Sequence, residues 1–345
     1  MTAEDYVRKA RSDGASDIHF ISGLTPRCRV DGEIRELDPN RLTPEQCERM
    51  VREFAGDRYE RAAAGELDLA KTIAGVRCRL NLFRANGAWS IALRLLSDEI
   101  PPIDALGLPA AALELPRYGR GLVLIAGETG SGKSTTLAAV LNEINRTARG
   151  HILTLEDPIE YVYTPDLCVI NQREIGRDTA SFAAGLRAAL REDPNVILVG
   201  ELRDLETIET ALTAAETGRL VFGTVHSGSA AGCVDRIVGV FSAGRQQQIR
   251  MQLSQTLRMI LVQRLLPRAS GGGRVLACEV MKADNAIRNL IREGKTHQIG
   301  NLIQSSSAKG NIMMNASLKK LLRDGIVSHE TYLRALPDGE EDARW

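Results

Sequence analysis

Eight residues constrain this chain more than any others: Gly127-Glu128-Thr129-Gly130-Ser131-Gly132-Lys133-Ser134, a complete G-x-x-x-x-G-K-[ST] phosphate loop. An apolar run, residues 122–126, precedes it, and a helical pattern with Leu137, Val140, Leu141 and Ile144 on one face follows it. A strand thus delivers a glycine loop to a helix N-terminus. Backbone N–H groups there point at a ligand, and the aligned peptide dipoles favour negative charge. The glycines let the backbone approach oxygens that a Cβ would obstruct. In such a loop Lys133 reaches the β- and γ-phosphates of a nucleotide and Ser134 ligates Mg²⁺.

Composition places the loop in an ordinary globular protein. The 345 residues, 43% hydrophobic and 26% charged, are enough for two domains with separate cores. Lys+Arg and Asp+Glu are equal at 44 each, so no global positive field exists to hold nucleic acid, and no nucleic-acid partner is expected. Six scattered cysteines (Cys28, Cys47, Cys78, Cys168, Cys233, Cys278) form no C-x-x-C pair, which argues against a zinc or redox motif and for reduced, packed thiols. The start lacks a basic segment leading into an apolar one, and no run approaches the ~18 apolar residues of a spanning helix. The expected location is the cytoplasm, with docking on a membrane complex left open.

Residues 3–11 predict a short helix, followed by extended stretches over 17–22, 26–30 and 33–37, the last two joined by an Asp31-Gly32 hairpin turn. A helix begins at Thr43-Pro44-Glu45, where Thr caps and Pro takes the first position, and continues through Met50, Val51 and Phe54. Segments 67–72, 76–83 and 89–96 alternate as half-buried antiparallel strands do. Residues 1–97 therefore predict an α+β domain. Two prolines and polar residues near Ser97-Asp98-Glu99-Ile100-Pro101-Pro102 mark a linker, 98–115, before a second domain, 116–345.

In the second domain four apolar runs, 122–126, 152–155, 196–199 and 220–225, are separated by helical patterns and predict a mainly parallel sheet. They end in the phosphate loop, in Glu156-Asp157-Pro158-Ile159-Glu160, in Gly200-Glu201 and in His226. Ligands of open α/β sheets bind outside the carboxyl ends of the strands, so these groups should converge on one rim. Phosphoryl transfer needs a metal to neutralise phosphate charge and a residue to deprotonate water. Glu201 stands where a metal-holding acid belongs, and Glu160 is the candidate general base. Glu156 and Asp157 could serve either role or brace the loop before Pro158. His226 reads as a γ-phosphate sensor or as a structural histidine.

These residues carry a resemblance. Gly127 to Thr135, residues 152–160, Gly200-Glu201-Leu202-Arg203-Asp204-Leu205-Glu206-Thr207 and residues 217–226 resemble the Walker A, Asp, Walker B and His boxes of secretion-type hexameric ATPases, in the same order. Ser16-Asp17-Ile18-His19-Phe20, Arg29-Val30-Asp31-Gly32 and Ala286-Ile287-Arg288-Asn289-Leu290-Ile291-Arg292-Glu293-Gly294-Lys295 resemble the type IV pilus retraction branch. The resemblance implies an α/β fold: a RecA-like P-loop NTPase domain preceded by a smaller α+β, PAS-like domain. It also implies ATP and Mg²⁺ as ligands, with residues 127–135 binding nucleotide and Ser134 and Glu201 holding the metal. The implied assembly is a homohexamer. The implied partners are an inner-membrane, PilC-like pilus platform protein and other pilus ATPases, with the motor peripheral to the inner face of the membrane. By position Arg79 and Arg94 match phosphate-contacting arginines of that family; by pattern alone they are surface strand charges.

One departure is Arg219, where the His box has a histidine. Its guanidinium keeps its charge, so a phosphate or intersubunit contact survives but a neutral-imidazole role does not. The remaining chain reads as helical: residues 246–266 carry Ile249, Leu253, Leu257, Ile260 and Leu261, and residues 286–295 leave Arg288, Arg292 and Lys295 on an open face. Residues 338–342 form an acidic tail. The rival readings are a pilus assembly or secretion ATPase, which the resemblance pairs with a four-cysteine zinc module, and a non-catalytic nucleotide-gated ring subunit.

Overall fold

The computed structural model describes residues 1–30, 33–96 and 99–336; the Asp31-Gly32 turn, Ser97 and Asp98 of the linker and the acidic tail lie outside them. The chain divides into two compact units, Met1–Ile100 with Pro158–Val162, and Pro101–Asp157 with Tyr163–Trp345.

The first unit is one antiparallel sheet with three helices. Its elements are α1 (Ala3–Ser12), β1 (Asp17–Ile21), β2 (Arg27–Val30), β3 (Glu33–Glu36), α2 (Pro44–Ala55), α3 (Tyr59–Ala63), β4 (Leu67–Ile73), β5 (Val76–Ala85) and β6 (Ala88–Leu95), with sheet order β3-β2-β1-β6-β5-β4. Thr2 and Thr43 close capping boxes with Asp5 and Gln46, which satisfy N–H groups that α1 and α2 would otherwise leave open. Tyr6, Val7 and Ala10 of α1 and Cys47, Val51 and Phe54 of α2 are buried with Ile18, Phe20, Cys78, Leu80, Leu82 and Leu93. Strand alternation then turns Asp17, Arg77, Arg79 and Arg94 to the opposite face.

The second unit opens with α4 (Ala110–Leu113). Residues 103–115, assigned by pattern to a linker, bury Ile103, Leu108, Ala111, Ala112 and Leu115, and Glu114 bonds Lys282 at 2.9 Å. Then follow β7 (Gly121–Ala126), α5 (Lys133–Thr147), β8 (Gly150–Glu156), β9 (Cys168–Glu174), α6 (Phe182–Ala189), β10 (Val196–Val199), α7 (Leu205–Glu216), β11 (Leu220–Val225), α8 (Ala230–Gly239) and α9 (Ala243–Thr256). The chain ends in β12 (Leu257–Pro267), β13 (Arg274–Lys282), α10 (Asn285–Glu293), α11 (Ile299–Ser305), α12 (Met314–Arg323) and α13 (His329–Ala335). The sheet order is β13-β12-β7-β11-β10-β8-β9, parallel from β12 to β9 with β13 antiparallel at its edge. From β7 the chain passes β11 and β10 to reach β8, whereas from β11 it turns back across β7 to β12, so the connections reverse beside β7 and make a topological switch point there.

Two expectations are corrected here. Residues 257–266, read as the end of a long helix, are the buried strand β12, and β13 pairs with it across the Gly-rich turn. The run Leu-Arg-Met-Ile-Leu-Val-Gln-Arg-Leu-Leu is apolar on both faces because β7, β13 and helices enclose it, and a short run of that kind carries no period of its own. Nor does Arg288 lie on an open face. Its guanidinium reaches back to the carbonyls of Ala283 (2.8 Å), Leu257 (3.1 Å) and Gln255 (3.4 Å), closing the junction between α9 and β12.

Candidate active site

The rim begins with strand register. Ala126 of β7 pairs with Val225 of β11, Gly223 of β11 with Val199 of β10, and Val199 with Leu155 of β8. The residues leaving these strands, Gly127, His226, Gly200-Glu201 and Glu156, therefore share the carboxyl edge of one sheet. Local bonds stiffen it: Thr224 Oγ1 donates to the Gly200 carbonyl, Leu202 N–H to Thr224 O (3.0 Å), and Gly200 N–H to Leu155 O (2.8 Å).

The loop itself is shaped by contacts that exclude side chains. A Cβ on Gly127, whose φ is +141°, would collide with the Gln263 carbonyl oxygen and lie 2.5 Å from Ser131 Oγ. Gly132 opens α5 at φ +92°, a left-handed value that turns the chain into the helix. Lys133 Nζ is held by the carbonyls of Gly127 (2.9 Å) and Glu128 (2.8 Å), and Ser134 is exposed on the first turn of α5. Ser131 Oγ is buried with no hydrogen-bond partner. An orphaned hydroxyl, an ammonium parked on carbonyls and a cradle closed to Cβ atoms fit a loop built around phosphate oxygens. Ser134 and Glu201 are oxygen donors of the type a hard divalent cation takes.

His226 Nε2 lies 3.9 Å from Glu201 Oε1, and a cavity of about 530 Å³ is lined by Gly127, Glu128, Thr129, His226, Ser227 and Gly228. The structure thus brings the loop, Glu201 and His226 together. Glu156 is engaged sideways, accepting from Thr154 Oγ1 (2.7 Å) and Gln172 Nε2 (3.2 Å), while Asp157 is exposed. Glu160 belongs to the first unit, with Arg79 Nη1 3.8 Å from its Oε1, and Arg94 bonds Asp17 at 2.9 Å. Burial alone would raise the Asp17 carboxyl, but the Ser16 hydroxyl and Arg94 outweigh it and hold it below the usual range.

Arg219 stands apart. It precedes β11 while His226 follows it, so six strand residues, about 20 Å, separate Arg219 from its own chain's loop rim. There it donates to Thr217 Oγ1 (2.8 Å) and the Leu190 carbonyl (3.2 Å). A phosphate contact within one chain is thereby ruled out for this residue.

Sequence reasoning missed a second group beside the loop. A cavity of about 400 Å³ is bounded by Thr129, Gly130, Leu265, Leu266, Thr331 and Arg334. Buried Gln263 of β12 donates to Thr136 Oγ1 of α5 at 2.8 Å, and Arg264 Nη1 to the Ala335 carbonyl at 2.6 Å. The helical reading of 257–266 hid them; the usable signal was the short apolar run 259–262 in a segment stopped by Pro267 and a Gly-rich turn.

A switch-point strand running through a glycine loop into a helix, with acids at the neighbouring strand ends, defines a RecA-like P-loop NTPase domain, here preceded by a smaller α+β domain. The profile of the family "Type II/IV secretion system protein" matches residues 2–272, and the chain belongs to that family. The chain is 44% identical to the type IV pilus retractation ATPase PilT of Pseudomonas aeruginosa over 96% of each chain. It is 43% identical to a twitching motility protein of Neisseria gonorrhoeae, covering 93% of this chain and 86% of that one. Among solved structures, that of the pilus retraction motor PilT with bound ADP superposes with a TM-score of 0.91 at 47% identity, covering 98% of both. No helix of the described residues is long and apolar enough to cross a membrane.

Proposed function

We propose that the chain is an ATP-hydrolysing motor of type IV pilus retraction, working as a homohexameric ring at the cytoplasmic face of the membrane on a pilus platform protein. The observation that carries the enzymatic half is the shared rim, where register brings the phosphate loop, Glu201 and His226 to one edge. The pilus half rests on likeness to the retraction ATPases over nearly the whole chain.

In this reading the N–H groups of residues 127–135 cradle the phosphates and Lys133 leaves its carbonyls to balance their charge. Ser134 and Glu201 hold Mg²⁺, which when bound neutralises charge on the phosphates. Glu160 orients a water and accepts its proton. His226 donates toward the γ-phosphate side of the loop, and Arg79 and Arg94 supply the charge that stabilises the departing phosphoryl group.

Phosphate release with and without Mg²⁺ tests the chemistry. Lys133→Ala should lose nucleotide binding, whereas Glu160→Gln should bind ATP and turn over roughly 100- to 10,000-fold more slowly. Wild-type rates in either variant overturn the enzymatic half. A deletion strain should be hyperpiliated and unable to twitch, and Lys133→Ala should not restore it; a bald strain would favour an assembly motor instead.

A further inference from the structure

Glu160 is held in a way that the strand leading to it does not explain. It lies on an excursion after β8 whose two ends are tied by one side chain. Gln172 of β9 donates to Glu156 Oε1 (3.2 Å) and accepts from the Tyr163 N–H (3.0 Å). Between those ends, Pro158–Val162 clusters with the first unit. The grip comes from Arg77 of β5: its Nε and Nη2 both donate to the Ile159 carbonyl, at 3.1 and 2.8 Å. That carbonyl belongs to the peptide joining Ile159 to Glu160, and Arg79, two residues along on the same face of β5, reaches the Glu160 carboxylate at 3.8 Å.

We infer that Arg77 is a positioning residue for Glu160, and that its fork on the Ile159 carbonyl makes the orientation of the base a property of the first unit. The peptide plane is rigid, so fixing this carbonyl oxygen fixes the direction in which the Glu160 Cα leaves it. With the Cα–Cβ direction set, only some of the staggered rotamers of the Glu160 side chain aim its carboxylate at a given water. Proton abstraction requires a heavy-atom distance of about 2.6–3.2 Å, and a misplacement of about 1 Å can cost roughly 100-fold in rate. Arginine suits the task because two donors of one planar group converge on a single oxygen; a lysine ammonium cannot reproduce the fork. The inference rests on Glu160 being the general base.

Steady-state turnover and fluorescent-nucleotide affinity of the full-length protein separate the possibilities, using wild type, Arg77→Ala, Arg77→Lys, Glu160→Gln and the Arg77→Ala/Glu160→Gln double variant. Thermal unfolding checks each fold, and Arg77→Lys and Arg77→Gln carry the comparison if Arg77→Ala does not fold. Arg77→Ala should lower kcat about 10- to 100-fold with nucleotide affinity changed by less than about twofold, Arg77→Lys should recover part of the loss, and the double variant should be no slower than Glu160→Gln alone. A wild-type kcat for Arg77→Ala beside a slow Glu160→Gln overturns the inference alone. So does weakened nucleotide binding at unchanged kcat, or a double variant whose defects multiply. A Glu160→Gln variant at the wild-type rate overturns the base assignment and the inference with it.

Discussion

Asp17 and Arg94 face each other in register across β1 and β6, and their 2.9 Å bond links two strands of the first unit. Because the Asp17 carboxyl titrates below its ordinary value when folded, the pair stabilises above the unfolded pKa of about 3.9 and the contribution disappears as pH falls through the lowered folded value. Arg94 is largely exposed, which screens the pair, so Asp17→Asn should cost only about 0.5–1 kcal/mol at pH 7. Denaturant midpoints measured from pH 7 to pH 3 should show the gap to wild type closing below roughly pH 4. Alternation alone put Arg79 and Arg94 on strands, and the structure adds that they share a sheet face with Arg77, on which the pattern was silent because a strand arginine on the outer face reads as solvated.

Among the elements, β12 was the least legible and matters most to the loop. It pairs in parallel with β7, and its Gln263 supplies both the carbonyl that a Gly127 Cβ would strike and the amide that bonds Thr136. Gly127→Ala should therefore displace the loop against β12 and weaken nucleotide binding by more than about tenfold, at a cost of about 1–3 kcal/mol in stability. Equilibrium nucleotide titration and chemical denaturation check the two halves separately; unchanged affinity would mean the loop relaxes without loss of its shape. The amphipathic helices were easier to foresee: α2 announces itself with Thr43, Pro44 and Gln46, whereas β12 has no polar face to give it a period.

For the molecule as a whole, each unit has its own buried core, yet Glu160 belongs with the unit that does not carry the phosphate loop. A fragment of residues 101–345 keeps the seven-stranded sheet and the loop but lacks Arg77 and Arg79. It should bind nucleotide and hydrolyse it at least about 100-fold more slowly than the full chain, as measured by titration and phosphate release. Full-rate turnover by the fragment would make the first unit dispensable for chemistry. Five thiols, Cys28, Cys47, Cys168, Cys233 and Cys278, are pushed up by burial, those of Cys233 and Cys278 to about 12, in keeping with reduced, packed residues rather than a redox motif.

By itself the sequence determined the nucleotide loop, the four parallel strands that converge on it and the acids at their ends, because each is a local pattern whose meaning is carried by neighbours along the chain. Only the tertiary structure decided that residues 257–266 are a central strand, that Arg219 sits at the far edge of the sheet from its own loop, and that Arg77 grips the peptide before Glu160. These three depend on what packs against a segment from far away in the chain: strand neighbours enclosing β12, the direction in which β11 runs, and a carbonyl 82 residues beyond Arg77. No periodicity records such partners, since they are chosen by the folded sheet.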